Sequence, residues 1–494
     1  MKGLKFVMGI WIGILIVLGI IQNGLAIDFV TPVGDLNLTG KIYTQGSWRM
    51  EDSEGFTFPK TDAGDFIQHR NLLQIEAKNK FNENFSIFLS GRLTYDGVSD
   101  YGAHQFRRYD LSDVYAKLRE GYLDINYGPV FFRLGRQNLS WGEADLFRLL
   151  DGINPLDNTF GLFFEDLDER RIPIDMARLV VDLGRVGPVS SLTVEGFIGS
   201  GEKQAPLTAP GSPYALPSPP SPVPVRDEKT HLKDIRGGAR ILGTTKGVSW
   251  SIGHYWSYPD SPVPVFRYST PGDALSTYLN LKYKRQQTTG GSFTFFTGID
   301  ATQTVVRGEF AYVWDEGIFI PSKNLPVGQG TIYVPGIGFI DPGIPVPLPG
   351  EIPEAGVFKW VIGLDNNIWI RALNKTNTFS VSLQAYGRHI AKDWSDEIRL
   401  PVNRYPSGNF VKPKKHEYQF TAVVSTYYLR GNLIPELAMA YDPRGAFFIQ
   451  PTVKYRWRNF EAMLRYSAIM GNFINIGFFR DRDQISLRLS YYFK

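Results

Sequence analysis

Apolar and polar side chains alternate along most of this chain. Between Asn82 and Gly97, Phe85, Ile87, Leu89, Leu93 and Tyr95 fall on one face, opposite Ser86, Ser90, Arg92 and Thr94. Phe379, Val381, Leu383 and Ala385 likewise oppose Ser380, Ser382, Gln384 and Arg388, and Val306, Phe310, Tyr312 and Trp314 oppose Arg307 and Glu309. Val453, Tyr455 and Trp457, then Ala462, Leu464 and Tyr466, form two such runs hinged at Arg458-Asn459. The last twelve residues, Asp483 to Lys494, repeat the pattern. A period of two is the signature of a strand with one apolar and one polar face. Counting such segments predicts roughly 16–20 strands of about ten residues, the length a tilted strand needs to cross a bilayer. The fold class expected is therefore all-β, a transmembrane antiparallel barrel. A secreted sandwich or propeller would share the alternation, but no blade-length repeat is visible. Aromatics also gather at strand ends, as at Tyr427-Tyr428, Trp457 and Tyr491-Tyr492, where bilayer interfaces would place them.

Three stretches interrupt the rhythm. Residues 199–231 are rich in Pro and Ser and 316–356 in Pro and Gly, and both read as long loops, the second apolar enough to fold back over a pore mouth. Residues 138–175 differ in character. They carry nine acidic residues (Glu143, Asp145, Asp151, Asp157, Glu165, Asp166, Asp168, Glu169, Asp175) against three arginines. Leu146, Leu149 and Leu150 recur at helical spacing before Asn154-Pro155, so this insertion is expected to bear a helix. Facing it would be a basic wall: residues 446–494 hold eight basic and three acidic side chains, with Lys454, Arg456, Arg465 and Arg488 at lumen-facing positions. An acidic insertion opposite a basic wall would sort solutes by charge, unless the two sets simply pair and stiffen the lumen. Trp141 and Glu143 either line that constriction or serve the junction itself, Glu143 through a capping box with Ser140.

Composition narrows the function classes. The chain has 494 residues, 14% of them aromatic, and no cysteine, which excludes disulfides, thiolate metal sites and haem attachment. A net charge of +4 is too small for a general nucleic-acid binder. Six scattered histidines offer no HExxH pair, and neither a G-x-S-x-G elbow nor a phosphate loop is present. The chain is thus expected not to be an enzyme and to need no cofactor or metal. Residues 1–26 read as a cleaved signal peptide: Lys2 and Lys5, an apolar run from Phe6 to Ile21, then the small residues Gly24 and Ala26. The barrel would be 27–494.

The block Gly135-Arg136-Gln137, Ser140-Trp141-Gly142-Glu143 and Gly152-Ile153-Asn154-Pro155 resembles a proteobacterial outer-membrane family, domain of unknown function 1302. That resemblance implies a porin-like barrel in a Gram-negative outer membrane, with no assigned substrate. The tail also resembles the assembly signal of such proteins, Leu489, Tyr491 and Phe493 ending the chain one residue early. The expected function is a channel for passive or selective passage of small solutes, with Arg136, Trp141, Glu143, Asp145, Asp151, Asp157, Lys454, Arg456, Arg465 and Arg488 as pore candidates. A carrier for hydrophobic compounds, or a barrel serving an export or electron-conduit complex, are the alternatives. Expected partners are outer-membrane lipid and lipopolysaccharide, the barrel-assembly machinery and an unknown small solute; monomer and homotrimer remain open.

Overall fold

The computed structural model describes residues 27–31, 34–53, 60–98, 115–144, 147–159, 164–200, 214, 223–227, 234–299, 301–394 and 414–493. Residues 1–26, the segment read from the sequence as a signal peptide, and much of the Pro/Ser-rich loop lie outside these. Eighteen strands form the barrel: β1 (Gly34–Arg49), β2 (Phe66–Lys80), β3 (Phe85–Asp96), β4 (Tyr115–Tyr127), β5 (Val130–Gln137), β6 (Ile174–Val186), β7 (Val189–Gly199), β8 (Arg236–Thr245) and β9 (Val248–Ser257). They continue with β10 (Gln286–Phe296), β11 (Val305–Gly317), β12 (Glu354–Ile368), β13 (Phe379–Ile390), β14 (His416–Ser425), β15 (Leu433–Asp442), β16 (Ala446–Trp457), β17 (Phe460–Gly471) and β18 (Gln484–Phe493). Each pairs antiparallel with its neighbour in sequence, and β18 pairs back onto β1 from Gly40↔Phe493 to Arg49↔Gln484. Closure leaves no edge strand in the ring. The C-terminal run therefore ends as a wall strand, with Phe493 lying over Gly40.

The alternation maps onto the two faces of this wall. Leu89 and Leu489 expose 48% and 45% of their surface outward, while their neighbours Ser90 and Ser490 are buried on the inside. Leu383, Phe310, Val453 and Leu464 are outward and exposed in the same way. Short connections such as 128–129, 187–188, 246–247 and 458–459 close one end of the barrel. The opposite end carries the long ones, among them 138–173, 258–285 and 318–353. The last two fold together: Val263–Tyr268 pairs with Thr277–Lys282, and Tyr268 Oη donates to Pro347 O at 2.7 Å.

The insertion departs from expectation in one respect. Its described residues hold a single four-residue helix, Leu167–Arg170, and none around Leu149 and Leu150. Leu149 and Leu150 are buried instead in an irregular stretch packed on Phe197, Tyr255, Ala311 and Val361 of the wall. Side chains that seize the backbone hold this path. Glu309 accepts from the amides of Glu143 and Ala144, and Arg148 donates to the carbonyls of Asp151 and Asn154. These contacts, with the packing of Leu149 and Leu150 on the wall, hold an irregular path and override a spacing suited to a helix.

Candidate functional site: a charged insertion across the lumen

The insertion starts where β5 and β6 part, and one residue staples its root. Asn154, fully buried, accepts from Leu139 N at 2.8 Å and donates to Ile172 O at 2.9 Å and Gln137 O at 3.3 Å. An asparagine has the donors and acceptor to join three backbone segments at once. From this root the chain makes two lobes inside the barrel.

The first lobe, from Trp141 to Gly152, lies along β7 to β13. The Trp141 ring meets Phe197 and Tyr255 edge-on at 5.3 and 5.7 Å, and Arg240 sits 5.0 Å from its centroid. Tyr255 Oη donates to Leu149 O at 3.2 Å and Ser257 Oγ to Gly152 O at 2.8 Å. Phe147 stacks on Tyr386 of β13 at 4.4 Å. Gly142 passes so close to the wall that an added Cβ would lie 3.1 Å from Asp151 and 3.3 Å from Glu309. Glu143 does not form the capping box with Ser140. Its carboxylate accepts from Thr294 Oγ1, and its backbone is held by Glu309 and Arg307.

The second lobe reaches the opposite wall. Phe164 enters an apolar cluster with Ile67, Phe448 and Ile469. Beside it, Glu165 pairs with Arg488 at 2.6 Å and accepts from Gln45 at 2.7 Å. Asp166 pairs with Arg465 at 3.1 Å, and Arg465 also donates to Phe164 O at 2.8 Å. Glu169 joins Lys41 of β1 and Arg92 of β3, the latter at 3.1 Å. Burial by itself would raise the Glu169 carboxyl; Arg92, then Lys41 and Arg70, hold it well below the usual carboxylate range. Asp166 is lowered likewise, Arg465 and Arg488 outweighing its burial. Between the lobes, Asp151 binds Arg171 at 2.7 Å and Arg148 at 3.4 Å. The insertion is therefore a strut tied to both sides of the lumen.

The candidate residues separate on this frame. Trp141, Glu143, Asp151, Arg465 and Arg488 belong to the strut or its wall contacts. Asp157 accepts from Thr159 N at 3.0 Å and orders the second lobe. Lys454 and Arg456 face the lumen nearer the short-turn end and pair with wall acids, Lys454 with Glu436 at 3.8 Å and Arg456 with Glu461 at 2.7 Å. Arg136 is a correction. It shares the parity of Leu134, which is 51% exposed on the outer face, and pairs there with Asp175 at 3.2 Å, so it lies outside the bore. Asp145 falls outside the described residues. Sequence reasoning missed Lys41 as a partner of the insertion, and it put Arg92 and Glu309 on polar faces without linking them to it.

Beside the strut, between Arg148–Gly152 and β9 to β12, lies a cavity of about 340 Å³ lined by Tyr255, Tyr258, Asp260, Lys284, Glu316 and Lys359 among others. Its lining carries both charge signs and includes residues 258–263 of a long loop. No group of three or more metal-ligating side chains occurs among the described residues.

A family model described as a protein of unknown function, DUF1302, matches residues 14–493. The chain belongs to the DUF1302 family. No curated protein matches it at a significant level. Among solved structures, this DUF1302 member is similar to Acinetobacter baumannii OccAB3, with 11% identity, 92% of this chain and 99% of that one covered, and a TM-score of 0.48. The corresponding figures for A. baumannii OccAB1 are 10%, 95%, 98% and 0.47. For a BenF-like porin from Pseudomonas fluorescens they are 10%, 93%, 98% and 0.46.

Proposed function

We propose that this DUF1302 protein is an outer-membrane, porin-like channel for small solutes, whose bore is narrowed and charge-tuned by the strut at 138–173. The observation that carries this reading is the placement of Glu165, Asp166 and Glu169 against Lys41, Arg92, Arg465 and Arg488. A closed barrel with an apolar outside and an inward-folded charged segment has the parts of a selective pore. On this reading the short turns face the periplasm and the long loops the outside. Direct pairing cancels much of the transverse field, so selectivity depends on the balance between strut acids and wall bases rather than on either set alone. No residue is assigned a catalytic role. Purified protein in planar bilayers should give discrete, ohmic conductance steps. Silent bilayers with correctly folded protein would refute a channel.

The carrier reading draws on one observation. The loop body at 258–285 and 318–353 exposes Leu275, Val327, Ile337 and Ile344 at 62–72%. Apolar patches of this kind mark interaction sites. Uptake of a lipophilic dye into cells, lost when Ile337 and Ile344 become Asn, would favour a carrier; dye-independent ion conductance favours the channel.

A further inference from the structure

The outer face of β12 to β14 carries a second chemical feature, away from the bore. Three rungs can be followed toward the long-loop end. Ile362, Ala385 and Phe420 align on one rung, Trp360, Gly387 and Tyr418 on the next, and Phe358, His389 and His416 on the third. Ile362, Phe420, Tyr418 and Phe358 are each at least 40% exposed. The apolar belt thus passes through an aromatic band and ends at two histidines. The indole of Trp360 lies over Gly387, where a Cβ would come within 2.3 Å of Nε1.

The hydrogen bonds at this rung have a fixed direction. Trp360 Nε1 donates to His389 Nε2 at 2.9 Å. An indole nitrogen only donates, so His389 Nε2 accepts and its proton resides on Nδ1. His389 Nδ1 and His416 Nδ1 are 2.8 Å apart, which makes His416 Nδ1 the acceptor. The His416 proton is then on Nε2, at the exposed end of the chain of donors. Two residues earlier stands Lys414, also exposed, with no acidic partner among the described residues. Tyr418 packs edge-on against His389 at 5.6 Å and holds the pair in place.

We infer that His416 and Lys414 form a binding site for the phosphate of a lipid headgroup in the outer leaflet. A phosphate offers only acceptor oxygens and negative charge, and the rung offers an aligned N–H donor and an ammonium. The position favours a lipid over free phosphate. The site lies immediately above the aromatic band, where a headgroup sits while its acyl chains cover Ile362 and Phe420. The inference rests on the membrane placement proposed above, which conductance in bilayers checks separately.

The test is native mass spectrometry of the detergent-purified barrel with bisphosphorylated lipid A, its dephosphorylated form, and inorganic phosphate as competitor. The wild-type protein should retain bisphosphorylated lipid A, and millimolar phosphate should not displace it. Lys414→Gln with His416→Phe should weaken retention by roughly a hundredfold, about tenfold for each charge-assisted hydrogen bond removed. His416→Gln, which keeps an N–H donor, should recover most of the histidine's share. Equal retention by wild type and the double variant, or of both lipid forms by the wild type, overturns the site. Displacement by inorganic phosphate overturns the lipid assignment. Unchanged heat-modifiable migration of the variants shows that each barrel is folded.

Discussion

Replacing Glu165 and Glu169 with Gln is the sharpest perturbation of the strut. Each substitution keeps size and hydrogen-bonding shape but removes a negative charge, leaving Arg488, Arg92 and Lys41 without those partners. At one Debye length (~10 Å in 0.1 M salt), Coulomb energy in water is about 0.4 kcal/mol per charge, and screening reduces it to about 0.15. Two charges then change the energy of a passing ion by about 0.3 kcal/mol, with opposite sign for cations and anions. The difference of about 0.6 kcal/mol is one RT, so the chloride-to-potassium permeability ratio should rise about threefold. Reversal potentials in a tenfold KCl gradient measure this directly. Conductance recorded alongside separates a loosened strut, which enlarges the step, from a retuned one, which moves only the reversal potential. A reversal potential that stays put would refute the idea that the strut acids balance the wall.

Further expectations follow from the same geometry. Asn154→Ala removes three buried hydrogen bonds at the root, about 3 kcal/mol at ~1 kcal/mol each, and should give larger, noisier steps from a barrel that still migrates as folded. Trp141→Ala empties the wall pocket between Phe197 and Tyr255 and should cost the strut about 3–5 kcal/mol of docking energy, read as earlier protease cleavage within 138–173. Glu51 and Asp483 join the loops after β1 and before β18, with Asp483 N donating to Glu51 Oε1 at 3.0 Å. Burial, against that hydrogen bond and with Asp483 adding repulsion, raises Glu51 from 4.5 to about 7. A carboxyl raised on docking favours the docked loops below its free value and loses that effect as pH climbs through 7. Hydrogen exchange at the Met50 and Asp483 amides should therefore quicken, beyond the intrinsic change, between pH 4.5 and 7 and by no more above it. Glu51→Gln should flatten the response.

Much of the wall was readable from alternation alone because its rule is local: residue i and i+2 share a face whatever the partner strand is. The segments around Leu89, Leu383, Val453 and Leu464 were assigned to the right faces, and eighteen strands fall within the range counted. Arg136 was misjudged although the same rule applied, since Leu134 two residues earlier already pointed outward. The strut resisted reading for a different reason. Its path is set by Glu309, Arg148 and Asn154 gripping backbone groups, contacts that span up to 166 residues and leave no periodic trace. Acid-rich composition marked the insertion as unusual, yet nothing in the order of residues told that Glu169 would meet Lys41 and Arg92.

The two ends of the strut are berthed on stretches of chain that lie far apart in sequence. Trp141 and Leu149 dock on β7 to β12, which are adjacent stretches of chain, whereas Arg465 and Arg488 arrive only with the final hairpin. The strand that seals the cylinder thus also carries one of the anchors of its crossbeam. A polypeptide shortened before Arg488 would lose its seam and Glu165's ionic partner in the same stroke, while Glu169 kept Lys41 and Arg92.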